Sequence, residues 1–146
     1  MNGFTIIRTG IRLTFLALLV YASVRDIKEK RIPNGCLLTI AFLSLPEIVF
    51  SGITPAEHLA GSVLISMPLL AAALVFSGAI GGGDIKLLAA GGLFLGMQKI
   101  VTAFVIGIYL AGAFCVYLLL FQKGERKTAI ALGPFLCIGM AAALWI

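Results

Sequence analysis

Six apolar stretches, at roughly 5–24, 35–52, 59–80, 84–98, 100–122 and 128–146, fill most of this sequence, and short polar joints separate them. A helix needs about 20 mainly apolar residues to cross about 30 Å of hydrocarbon. Backbone in lipid must satisfy its hydrogen bonds within its own segment, so such stretches are expected to be helical. The pattern predicts an all-α polytopic membrane protein of about six transmembrane helices, with residues 1–146 forming a single domain and no soluble one. Composition agrees. With 61% hydrophobic and 12% charged residues and a mean hydropathy of +1.13, a chain of this size cannot hide its apolar surface in a soluble core. The fourth stretch is short and rich in glycine.

The joints set an orientation. Arg25, Lys28, Lys30 and Arg31 follow the first stretch, Lys86 opens the fourth, and Lys123, Arg126 and Lys127 follow the fifth. With six crossings these eight cations share one side, against Arg8, Arg12 and Lys99 on the other. The excess of basic residues marks the cytoplasmic side, which puts both termini outside. Arg8 and Arg12 fit by snorkelling outward from the first turns. Cleavage of the first stretch as a signal peptide would carry residues 25–31 across the membrane against this bias, so an uncleaved helix is expected. The net charge of +5 reads as a topology signal. No basic run carries interleaved aromatics, so no nucleic-acid partner is implied.

Neither a metal nor a cofactor is expected. Cys36, Cys115 and Cys137 lie far apart with no C-x-x-C and read as buried small hydrophobes. His58, the only histidine, reads as a solvated loop residue beside Glu57. Asn34, after Ile32-Pro33, is placed to cap the second helix. Pro46, Pro68 and Pro134 are expected to kink or unwind their helices. Gly92 and Gly96 form a G-x-x-x-G that lets a neighbouring helix approach closely.

Of six acidic residues, only Asp26 and Asp84 are aspartates. Asp26 ends the first helix. Asp84 follows Gly81-Gly82-Gly83 and opens the fourth. Two crossings separate them, so both are expected in joints on the same membrane face. Two carboxylates that meet and share one proton make a water-activating pair, because like charges in contact cannot both stay ionised. Taken singly, Asp84 also reads as a helix cap and Asp26 as a loop ion pair. Glu47, beside Pro46, supports a rival reading as the ion path of a small transporter or proton-conducting subunit, although helix tilt would bring it near the outer interface. A structural subunit of a larger membrane complex is the third reading.

Asp26-Ile27-Lys28-Glu29-Lys30-Arg31-Ile32-Pro33-Asn34 resembles the first aspartate motif of the type IV prepilin peptidases, in which basic residues and I-P-N follow the aspartate. Gly81-Gly82-Gly83-Asp84-Ile85-Lys86 is similar to their G-x-G-D motif, which presenilin-like proteases share. Gly133-Pro134-Phe135-Leu136-Cys137-Ile138-Gly139 resembles a stretch of their last helix. The resemblance implies a membrane aspartic endopeptidase that removes the short basic leader of prepilins or pilin-like secretion subunits. It would act at the cytoplasmic face of a prokaryotic inner membrane. Asp26 and Asp84 would be the catalytic pair, and Gly81, Gly82, Gly83, Lys86, Pro33 and Asn34 would shape the site. Larger members carry a cysteine-rich cytoplasmic region tied to N-methylation of the product. This chain lacks it and is similar to the compact peptidase-only members that serve tight-adherence (Flp) pili. On this reading the cations after the first helix rest at anionic lipid headgroups, Glu29 and Glu125 meet the basic leader, and the glycine face of the fourth helix (Gly91, Gly92, Gly96) receives the substrate's apolar helix.

Overall fold

The computed structural model describes residues 3–75, 81–121 and 131–146. Among these residues there are six helices and no strand: α1 (Gly3–Glu29), α2 (Asn34–Phe50), α3 (Pro55–Val75), α4 (Gly82–Leu95), α5 (Met97–Phe121) and α6 (Gly133–Ala143). The protein is an all-helical, polytopic membrane protein. Three helices, α1, α3 and α5, are long and apolar enough to cross a membrane.

The first helix runs past its apolar stretch to Glu29. Arg25 and Glu29 pair across one turn, and nothing in the polar sequence breaks the helix, so it projects beyond the apolar region. The joint to α2 therefore shrinks to residues 30–33, and Asp26 lies on a helix where a loop was expected. Asp84 is likewise the third residue of α4. Helix α2 starts with Pro33 as its cap and Asn34 as its first helical residue, so Asn34 is not the cap. Helices α2 and α3 continue through Pro46 and Pro68 without a break, and Pro134 sits in the first turn of α6, where proline's missing N–H costs nothing.

Helix α4 is the centre of the molecule. Nine of its fourteen residues are buried, including Leu87, Leu88, Phe94 and Leu95, and it contacts α2, α3, α5 and α6. At about 1.5 Å per residue it spans roughly 21 Å, too short to cross hydrocarbon alone. Enclosure by protein removes that requirement. Phe15 of α1 stacks on Phe94, ring centroids 4.0 Å apart.

Glycines permit the tightest contacts. A side chain at Gly92 would strike the Gly61 backbone of α3, with Gly61 C at 2.6 Å. A side chain at Gly91 would meet the Met140 sulfur at 2.7 Å. A side chain at Gly139 of α6 would strike the Ala103 carbonyl of α5, with the Gly107 nitrogen at 3.0 Å. The close approach expected of the G-x-x-x-G stretch is thus made by this chain's own α3. Gly96, at φ +80, closes α4 and passes directly into α5.

Candidate active site

Three helix ends meet at one end of the bundle. The last turn of α1 brings Asp26, which is buried. Its carbonyl accepts the Lys30 N–H at 2.9 Å, and Lys30 takes φ +50. This left-handed residue ends α1 and turns the chain toward Ile32 and Pro33. The first turn of α4 brings Asp84, also buried. Extended Gly81 caps that helix, and a side chain on Gly81 would sit 3.1 Å from Asp84 Oδ2. The start of α6 brings Gly133.

The two carboxylates differ in their bonding. Gly133 N–H donates to Asp26 Oδ2 at 3.1 Å. Gly133 is the first residue of α6, so this N–H has no partner within its own helix. The contact is close enough that a side chain at Gly133 would strike the Asp26 carboxylate, with Cγ at 2.8 Å. Asp84 Oδ1, by contrast, is buried with no hydrogen-bond partner among the described residues. The two groups are near enough to interact electrostatically.

Both aspartates line a cleft of about 740 Å³. Pro33, Asn34, Gly81, Gly82, Gly83 and Lys86 line it too, so eight residues picked out of the sequence converge. Lys86 Nζ donates to Asn34 Oδ1 at 3.5 Å, which ties α4 to α2 at the cleft edge. Lys30, Arg31, Ile32, Ala131 and Leu132 complete the lining. Gly133 was quoted in the motif without a role. Its signal was the Gly-Pro pair at a helix start, which exposes a free N–H beside a site.

Other expectations need correction. Gly92, expected on a substrate-facing surface, packs against Gly61 of α3. Glu29 is exposed, pairs with Arg25 and does not line the cleft. Glu125 lies outside the described residues. Glu47, expected near the outer interface, is not left to solvent there. It is buried and paired with Arg8 and Arg12. His58 is fully buried on α3, bonded to Ser51 Oγ at 3.1 Å and to the Leu93 carbonyl at 2.9 Å. The sequence places His58 in a loop with Glu57, after Thr54-Pro55-Ala56. Those residues instead start α3, with Thr54 Oγ1 accepting the Glu57 N–H at 3.4 Å.

Fold and site together define a helical membrane protein with two inward-facing carboxylates at one end of its bundle. The chain belongs to the type IV leader peptidase family, whose description it matches over residues 13–116, a span that includes both aspartates. A prepilin leader peptidase/N-methyltransferase of Bacillus subtilis (strain 168) is 27% identical over 144 residues. That alignment covers 94% of this chain and 58% of the relative, so the chain spans little more than half of the relative's length. No solved structure matches.

Gly133→Ala should destabilise the protein by about 1–3 kcal/mol through overpacking against Asp26. The Asp26→Ala/Gly133→Ala pair should recover most of that loss, because the clashing carboxylate is gone. A double-mutant cycle of thermal unfolding in detergent measures the coupling, and strict additivity would refute the contact.

Proposed function

We propose that this chain is an aspartic endopeptidase of the G-x-G-D type that removes the short basic leader of prepilins or pilin-like secretion subunits. The observation that carries this reading is that Asp26 and Asp84, from two helices, share one cleft with Gly81–Gly83. Asp26, held by the Gly133 N–H, is the ionised base, since a carboxylate is an acceptor only. Asp84 carries the shared proton, which supplies its own donor where the described residues offer Oδ1 none. Asp26 takes a proton from water as the water oxygen attacks the scissile carbonyl carbon, and Asp84 gives its proton to the carbonyl oxygen. The tetrahedral diol then collapses. The C–N bond breaks, Asp26 delivers its proton to the leaving amine, and Asp84 recovers one from the diol.

Residues 1–146 serve as one transmembrane peptidase domain in a prokaryotic inner membrane. The joint at 30–33 contains no C-x-x-C, so cleavage without methylation is the activity assigned. An apolar groove of about 510 Å³ shares Asn34 and Lys86 with the cleft and runs along Leu37, Leu38, Ala41, Ala89 and Leu93. The substrate's apolar helix lies there, with its cut site over the aspartates. The rival transport reading loses its main support, because Glu47 is occupied by two arginines.

Purified protein in lipid, given a prepilin, should release a product whose first residue, read by N-terminal sequencing, follows the basic leader. Asp26→Asn and Asp84→Asn should each lower turnover by about 10²–10⁴ or more, the scale of a lost general acid or base, with helix content unchanged. Near-normal turnover in either variant would exclude the pair.

Ala41→Trp, which fills the groove, should slow cleavage of a full-length membrane-anchored prepilin more than that of a short leader peptide. Equal slowing of both would place the apolar helix elsewhere.

Cysteines introduced at Lys28 and Gly82 should react with a membrane-impermeant thiol reagent from the cytoplasmic side, and one at Glu57 from the other side. Opposite labelling of 28 and 82 would overturn the assigned orientation.

A further inference from the structure

Far from the two aspartates, at the other end of the bundle, a second polar cluster is built from four helices. Arg8 and Arg12 stand four residues apart on α1, so both leave the same helix face. Both engage Glu47 of α2. Arg8 Nε donates to Oε1 at 3.4 Å, and an Arg12 terminal nitrogen lies 3.7 Å from the same oxygen. Lys99 of α5 faces the cluster and donates to the Leu144 carbonyl at 3.4 Å. His58 of α3 lines it as well, already bonded to Ser51 and Leu93.

The charges do not balance. Among the described residues three cations face a single carboxylate, which leaves two positive charges unmatched; beside lipid, unpaired charge is costly. Glu47 Oε2 is also buried without a hydrogen-bond partner among the described residues, and Glu47 lines a small cavity of about 30 Å³, room for about one water. That cavity is too small and too acidic on one wall for a phosphate. The arginines, however, reach outward as well. Their side chains are 37% and 34% exposed. With Thr5, Thr9 and Phe50 they line a separate outer groove of about 280 Å³. The nearby surface is apolar: Ile6, Leu13 and Val49 are exposed, and α1 is one of the three membrane-length helices.

We propose that Arg8 and Arg12 form a binding site for the phosphate of an anionic phospholipid headgroup, with its acyl chains against the apolar flank of α1 and α2. A guanidinium presents a planar fork of donors that matches phosphate oxygens. Glu47 holds both forks in place before the ligand arrives, which lowers the ordering cost of binding. The ligand supplies the negative charge that the cluster lacks. The apolar flank selects a lipid over free phosphate. A lipid held there clamps α1 to α2 and sets the depth of α1, whose other end carries Asp26. The proposal does not depend on the peptidase reading.

The test uses the full chain in detergent, titrated with phosphatidylglycerol, phosphatidylcholine or inorganic phosphate. Bound lipid is counted by native mass spectrometry and stability is read by thermal unfolding. Phosphatidylglycerol should be retained as a defined adduct and should raise the unfolding temperature, with neither effect from phosphatidylcholine. The Arg8→Gln/Arg12→Gln pair strands Glu47 without partners and is expected to unfold. The triple variant Arg8→Gln/Arg12→Gln/Glu47→Gln removes that burden and should fold, with retention of the tightest phosphatidylglycerol reduced about 10-fold, the equivalent of roughly 1.4 kcal/mol. Equal binding of the two lipids, or undiminished retention by the folded triple variant, would overturn the proposal. Inorganic phosphate that stabilises as well as the lipid would overturn the lipid assignment.

Discussion

A carboxylate or ring nitrogen taken into an apolar helix bundle has no water to bond, so the chain must supply its partner. Both polar ends of this protein are arranged around that requirement. Asp26 is met by the first free N–H of α6, Glu47 by two arginines of α1, and His58 by Ser51 and the carbonyl of Leu93. Together these bonds tie α1, α2, α3, α4 and α6 near their ends. Asp84 Oδ1 is the exception at the aspartate end. Its carboxylate opens on the same cleft as Asp26.

That exception depends on where α4 sits. A helix enclosed on every side by its neighbours can be short, and it can carry a polar first turn into the interior. The enclosure rests on small residues. Gly61 against Gly92 and Gly139 against Ala103 bring backbones together where a side chain on the glycine would collide. Dispersion between closely packed surfaces then replaces the hydrophobic drive that lipid cannot provide between helices. The glycines of α4 therefore hold the bundle, while Gly81–Gly83 leave the cleft open above Asp84.

The two ends divide the chemistry. One gathers two carboxylates in an open cleft rimmed by Lys30, Arg31 and Lys86. The other gathers three cations around one carboxylate, with an outer groove beside exposed apolar side chains. Helix α1 carries both, with Arg8 and Arg12 near its start and Asp26 in its last turn. Whatever fixes the depth of one end fixes the other, because a continuous helix is stiff along its axis.

The sequence alone determined the fold class and the convergence of the two aspartates. Apolar run length and the number of crossings between two residues are one-dimensional facts, and they decide which membrane face each residue reaches. The motif residues Pro33, Asn34, Gly81, Gly82, Gly83 and Lys86 were legible for the same reason, since they flank those aspartates. Only the tertiary structure decided which way each helix faces. These helices are apolar nearly all round, so their periodicity carries little information about rotation. Packing alone turned Gly92 toward Gly61, drew His58 inside, set Glu47 between Arg8 and Arg12, and placed the Gly133 N–H on Asp26. A hydrogen bond between residues 107 positions apart leaves no periodic trace in the chain, because its geometry exists only once the helices have packed.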